Sequence, residues 1–203
     1  MRAISFRLWL VITVFASAAC DAETPSEPAE ACGPFPDWAS SPYNLPYPAG
    51  HSYELRQSNC SGFGHVGFWK HGYDFIMPIG AVVTAARSGR VGWAKDGCYD
   101  GDQNCTNLIT LLHDDGEVTV YSHLTLEGVL VAEGQDVLQG DTIGLSGNTG
   151  YSTEPHLHFS LHHCNELPGL PGGGDECPSQ PFTIANTDPN PNGLEPYRFY
   201  LAR

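Results

Sequence analysis

Between His51 and about Cys164 the chain runs in short apolar stretches, each bounded by glycine or by a polar turn. Val82–Ala85, Arg90–Ala94, Leu108–Leu112 and Glu117–Tyr121 have strand length and are rich in β-branched residues. Gly89, Gly116, Gly134 and Gly140 fall where turns need a backbone that other residues adopt with difficulty. No segment sustains a 3.6-residue apolar period, so helices are not expected. The pattern predicts a mainly β fold, a compact antiparallel β-sheet domain of sandwich or barrel type, over residues 51–165. Residues 20–50, rich in Pro, Ser, Glu and Ala, read as a linker or an irregular arm lying on the domain. Residues 166–203, with the glycine-rich run Pro168–Asp175, read as an irregular C-terminal tail.

The first 19 residues have a different pattern. Arg2 and Arg7 flank the apolar run Leu8–Ala16, and small residues follow up to Cys20. That is the layout of a secretory signal, with too short an apolar run to span a bilayer. An exported protein, periplasmic or at the cell surface, is expected. Ser17-Ala18-Ala19-Cys20 resembles a lipoprotein box, which implies membrane attachment through a lipid on Cys20. The alternative is plain secretion with cleavage after Ala16-Ser17-Ala18. Of seven cysteines, a lipidated Cys20 leaves an even set, readable as up to three disulfides in an oxidising compartment. Cys98–Cys105 and Cys164–Cys177 are the expected pairs, because each closes a short Gly- or Asp-rich excursion.

Charge narrows the partners. Nine basic against 23 acidic residues give −14, and loss of Arg2 and Arg7 with the signal makes the mature chain more acidic still. Nucleic acid is excluded as a partner, since no phosphate-neutralising surface is available. A monomer is expected.

Nine histidines supply the candidate chemistry. In His156-Leu157-His158-Phe159-Ser160-Leu161-His162, strand alternation turns the histidines and Ser160 to one face and Leu157, Phe159 and Leu161 into a core. Imidazole is the commonest nitrogen ligand for zinc. Tyr121-Ser122-His123 ends another strand, with Tyr121 and His123 on one face. Tyr121 lines the cleft, orients an imidazole or packs in the core. Asp74, between Tyr73 and Phe75, is costly to bury unless a cation or metal meets it. His51 and His113 read as surface residues, and His162 as a partly exposed residue at a strand end. Trp69, Trp93 and Tyr151 either offer a stacking surface or pack against the core.

The runs Asp74–Ala86, Gly89–Val91, Tyr121–Leu124, Gly134–Gly144 and Gly147–Phe159 together resemble the lysostaphin/LytM-type zinc endopeptidases, in the family's order across most of residues 65–162. The resemblance implies a β-sheet core with a groove, one Zn2+ ion, and hydrolysis of peptide cross-bridges or stems in peptidoglycan. Position by position, it implies that Asp74 and His158 are metal ligands and that His123 and His156 are catalytic histidines outside the ligand set. Many members place the remaining ligand His four residues before the Asp, where this chain has Lys70. His65, nine before, and His71, three before, are the substitutes. His65 is preferred, because Phe68–Gly72 can loop out to return it to the metal. Three protein ligands would leave zinc a further position for water. The competing readings are a degenerate homologue that binds peptidoglycan or regulates a hydrolase, and a peptidase for a secreted protein.

Overall fold

The computed structural model describes residues 32–164 and 177–203. The expected signal, Cys20 and the Pro168–Asp175 loop lie outside the described residues. Ten strands form one sheet: β1 (Ser52–Gln57), β2 (Gly72–Ile76), β3 (Val82–Thr84), β4 (Gly89–Lys95), β5 (Asn107–Leu112), β6 (Glu117–Val129), β7 (Asp136–Val137), β8 (Thr142–Ser146), β9 (Leu157–His163) and β10 (Arg198–Leu201). The main path is β10-β1-β2-β9-β6-β5-β4-β7, and β3 joins through β8, which also pairs with β6. Every strand pair is antiparallel. Among the described residues the helical elements are two single 3-10 turns, Trp38–Ser40 and Gly67–Trp69. The expected mainly β, antiparallel fold is present.

Register places the functional face. Across the adjacent strands β2, β9 and β6, Tyr73 pairs with Phe159 and Phe159 with Tyr121. These three rings are buried in the main core with Phe75, Leu157 and Leu161. One residue on, Asp74 pairs with His158 and His158 with Ser122. Alternation of period two therefore makes an apolar rung on one face and a polar, metal-competent rung on the other.

His123 departs from that alternation. Asn107 pairs with Leu124 and Leu108 with Ser122, so His123 is an extra residue in β6, a β-bulge, at φ 67°. Its left-handed backbone costs on the order of 1 kcal/mol in a non-glycine residue. The bulge keeps both Tyr121 and Leu124 in the core while Ser122 and His123 line the groove on the other face. Tyr121 and His123 thus do not share a face, because the bulge resets the strand between them. Tyr121 is a core residue, its hydroxyl accepting from the Ala86 N–H.

The irregular flanks do more than connect. Tyr43, Leu45 and Tyr47 from the expected linker, and Phe182, Ile184, Leu194, Tyr200 and Ala202 from the expected tail, are buried in the same core. The tail's last strand, β10, pairs with β1. The sheet domain therefore extends beyond residues 51–165 on both sides. Two more histidines turn out to be internal rather than at the surface. His113 donates from Nδ1 to the Ser88 carbonyl and accepts at Nε2 from Thr119 Oγ1. His162 is fully buried, donating from Nδ1 to the Cys177 carbonyl and accepting from Ser160 Oγ. Cys98–Cys105 and Cys164–Cys177 are bonded as expected, and Cys32–Cys60 completes the set.

Truncation before Leu194 tests the enlarged domain. Loss of the buried Leu194, Tyr200 and Ala202 and of a strand pair should cost roughly 3–6 kcal/mol. In thermal denaturation this should read as a large drop in Tm, and an unchanged Tm would contradict it.

Candidate metal centre

Asp74 lies at the middle of β2 with its carboxylate almost wholly enclosed, 7% exposed. Oδ1 is 2.7 Å from His158 Nδ1 and 3.1 Å from His65 Nε2. His158 comes from the neighbouring strand β9. His65 comes from the segment between β1 and β2, and the Gly67–Trp69 turn carries the chain back to β2. The donor atoms of His65, Asp74 and His158 all lie within 4.8 Å of one another, and all three residues are buried. Gly72 makes this closeness possible. A Cβ there would stand 2.7 Å from His158 Cε1 and 3.4 Å from His65 Cε1.

The protons can be assigned from the partners. His65 Nδ1 is 2.7 Å from the Ser58 carbonyl, which can only accept, so Nδ1 carries the hydrogen. Whenever this ring is neutral, the lone pair of Nε2 faces the ionised carboxylate 3.1 Å away, in a buried position where Nε2 has no other partner. Two lone pairs held 3.1 Å apart repel unless a proton or a cation lies between them. Burial alone would raise the Asp74 pKa, yet the bond and charge of His158, then of His65, hold it well below the usual carboxylate range. Burial pulls His65 down, but Asp74 and the Ser58 carbonyl outweigh it and the net shift is upward. At His158 burial, ahead of Asp74, keeps the net shift downward. The centre is a carboxylate that remains charged and draws positive charge to itself.

Two further imidazoles face this centre. His123 donates from Nδ1 to the Thr149 carbonyl at 2.6 Å. His156, on the residue before β9, donates from Nδ1 to the Glu154 carbonyl at 2.8 Å. Both rings are thereby fixed as the tautomer with a free Nε2 lone pair. Their centroids are 4.6 Å apart, and His156 Nε2 is 3.9 Å from Asp74 Oδ1. Burial, then the nearby His156 and His158, pushes the His123 pKa down to about 3, so this ring is neutral at physiological pH. All five predicted residues line one groove of about 250 Å³.

The groove also holds residues that the sequence reading left open or missed. Trp69 packs edge-on against His158 and His162, with centroids 5.2 Å and 5.4 Å away, and lines the groove. Tyr151 lines it from the opposite loop and is 70% exposed. Phe63, 67% exposed, lines it too and was not singled out from sequence. Ser58, Thr149 and Glu154 act through backbone carbonyls, which carry no side-chain signal. His71 lies apart from Asp74, with Nδ1 3.7 Å from Cys32 Sγ.

Comparison with known proteins agrees with this architecture. Residues 69–169 match the model of peptidase family M23. The chain belongs to that family. It is 42% identical over 91 residues to the peptidoglycan DD-endopeptidase ShyA of Vibrio cholerae, covering 45% of this chain and 20% of ShyA. It is 39% identical over 117 residues to lysostaphin of Staphylococcus simulans, covering 56% of this chain and 21% of lysostaphin. The chain thus spans about a fifth of the length of the curated relatives it matches. The solved M23 metalloprotease pseudoalterin, from the deep sea, shares the fold, with TM-score 0.50, 21% identity, and coverage of 81% of this chain and 92% of that one.

M23 peptidases are zinc enzymes, and the cluster fits the ion: two buried imidazoles, each with a buried Nε2 that has no hydrogen-bond partner, converge on a buried carboxylate. Gly72→Ala should drive a methyl group into the His158 ring. Titration of the M23 domain with zinc should then show roughly 10–100-fold weaker binding, the scale on which disturbed ligand orientation acts. Wild-type affinity in that variant would contradict the packing described.

Proposed function

We propose that this protein is an exported zinc metalloendopeptidase that hydrolyses peptide bonds in peptidoglycan cross-links or stems. In this reading His65, Asp74 and His158 hold the zinc, and His123 and His156 are the catalytic histidines. The observation that carries it is the convergence of His65, Asp74 and His158 donor atoms within 4.8 Å of one another, buried in a groove with two further imidazoles. Zinc, when bound, supplies a Lewis acid for the scissile carbonyl and lowers the pKa of a water to about 7.

The chain's own groups do the rest. His123 and His156 commit Nδ1 to backbone carbonyls, so each offers Nε2 as an acceptor toward the groove. One ring accepts the proton of the attacking water at Nε2 and becomes an imidazolium. That Nε2–H can then donate to the developing oxyanion or pass its proton to the leaving amine. The other ring accepts a hydrogen bond and orients the water. The carbonyls of Thr149 and Glu154 hold both rings in the tautomer this sequence of transfers requires. Catalysis is favoured over simple binding because all five residues meet in one groove, whereas a binding protein needs neither a charged buried carboxylate nor two tautomer-fixed imidazoles. Export rests on the N-terminal signal pattern, with a lipid on Cys20 as the membrane attachment.

Digestion of purified peptidoglycan, with mass analysis of the fragments, tests the reading. Zinc-loaded wild type should release fragments cut at peptide bonds, and His123→Ala should retain zinc but lose at least 100-fold in rate. Intact peptidoglycan after treatment with zinc-loaded wild type would contradict it. A comparison of His65→Ala with His71→Ala tests the ligand set. Zinc binding by the oxidised protein should be lost in the first and kept in the second, and the reverse result would transfer the ligand role to His71.

A further inference from the structure

His71, beside Gly72 at the start of β2, is a histidine that the proposed reaction leaves unused. Its Nδ1 is 3.7 Å from Cys32 Sγ and 4.0 Å from Cys60 Sγ. The three donor atoms lie within 4.8 Å of one another, the imidazole buried and both cysteines half-buried. In a tetrahedral zinc site with Zn–S about 2.3 Å and Zn–N about 2.0–2.1 Å, sulfur and nitrogen donors stand roughly 3.6 Å apart and two sulfurs roughly 3.8 Å. The nitrogen-to-sulfur distances are thus already near those of a Cys2His site. Only the two sulfurs would have to separate. The backbone around them is tied down: the Cys60 N–H donates to the Lys70 carbonyl at 2.7 Å, and the His71 N–H donates to Ser179 Oγ at 2.8 Å.

We propose that Cys32, Cys60 and His71 form a second, redox-controlled metal site, closed by the disulfide when oxidised and binding one zinc-type divalent cation when reduced. A dithiol reductant delivers two electrons and two protons to the Cys32–Cys60 bond and is itself oxidised to a disulfide. The S–S bond breaks into two thiols, and the incoming cation displaces both thiol protons, taking two thiolates and the neutral His71 imidazole as ligands. Water or a further donor completes the coordination. Cys60 and His71 stand at the two ends of the segment that carries His65. The disulfide ties one end of that segment, Cys60, to Cys32 of the N-terminal arm, whereas the metal would join Cys32 to both ends, so that the segment carrying His65 stays anchored in either redox state.

The site is tested with the full chain and cobalt(II) as the probe, before and after reduction by a phosphine, which takes up the oxygen of water as it gives two electrons. Reduced wild type should take up one more equivalent than oxidised wild type, with thiolate-to-cobalt charge-transfer absorption. His71→Ala, which keeps the disulfide and so its route to the folded state, should lose that extra equivalent after reduction. Cys32→Ser/Cys60→Ser should lose the charge-transfer absorption while the other four paired cysteines remain. His158→Ala should keep the absorption, which separates this site from the groove and makes the test independent of the catalytic reading. No extra equivalent on reduction of wild type, or undiminished charge-transfer absorption in both the His71 and the double-cysteine variants, would overturn the proposal.

Discussion

An ionised carboxylate in the interior costs several kcal/mol unless its charge is met, and the architecture is arranged around meeting that cost for Asp74. The carboxylate sits on an interior strand, between β1 and β9, and lines the groove. Two imidazoles approach the same oxygen, one from the adjacent strand and one from a loop. The apolar rung of Tyr73, Phe159 and Tyr121 on the reverse face fixes the three strands in register, and any slip by one residue would send Asp74 into the core. Packing on one face thereby sets the chemistry on the other.

Each disulfide ends close to one of the site's supports. Cys32–Cys60 lies two residues from Ser58, whose carbonyl fixes the tautomer of His65. Cys98–Cys105 is tied to Asn107, whose side chain accepts from the Cys98 N–H and donates to its carbonyl. The Asn107 N–H in turn donates to Thr149 Oγ1, and the Thr149 carbonyl holds His123. Cys164–Cys177 presents the Cys177 carbonyl to His162, against which Trp69 packs while it also touches His158. Loops that carry functional groups tend to be the least stable parts of a fold. Here covalent braces stand where the sheet itself cannot hold them.

Much of the centre was legible in the sequence because strand alternation carries it. The spacing of His156, His158, Ser160 and His162 against Leu157, Phe159 and Leu161 predicted both faces of β9, and an Asp between aromatic strand residues marked Asp74. His65 was legible only through the need to replace Lys70. What escaped depends on contacts distant in sequence. The bulge at His123 arises from pairing with Asn107 and Leu108 on another strand, so period-two reasoning wrongly joined it to Tyr121. His162 read as a strand-end residue, yet Phe68 and the Cys164–Cys177 pair cluster beside it and His162 is sealed. The Pro-rich arm and the tail have no periodicity to display, although Tyr43, Leu45, Phe182 and Ile184 are buried as deeply as strand residues. Their positions are set by the sheet they cover rather than by a local pattern.

In the proposed centre one buried carboxylate and two imidazoles hold a single zinc ion. Anomalous diffraction at the zinc edge, from crystals of the oxidised protein grown with zinc, tests it most directly. One strong peak in contact with His65, Asp74 and His158 is expected. A peak against His71 instead, or none in the groove, would contradict it.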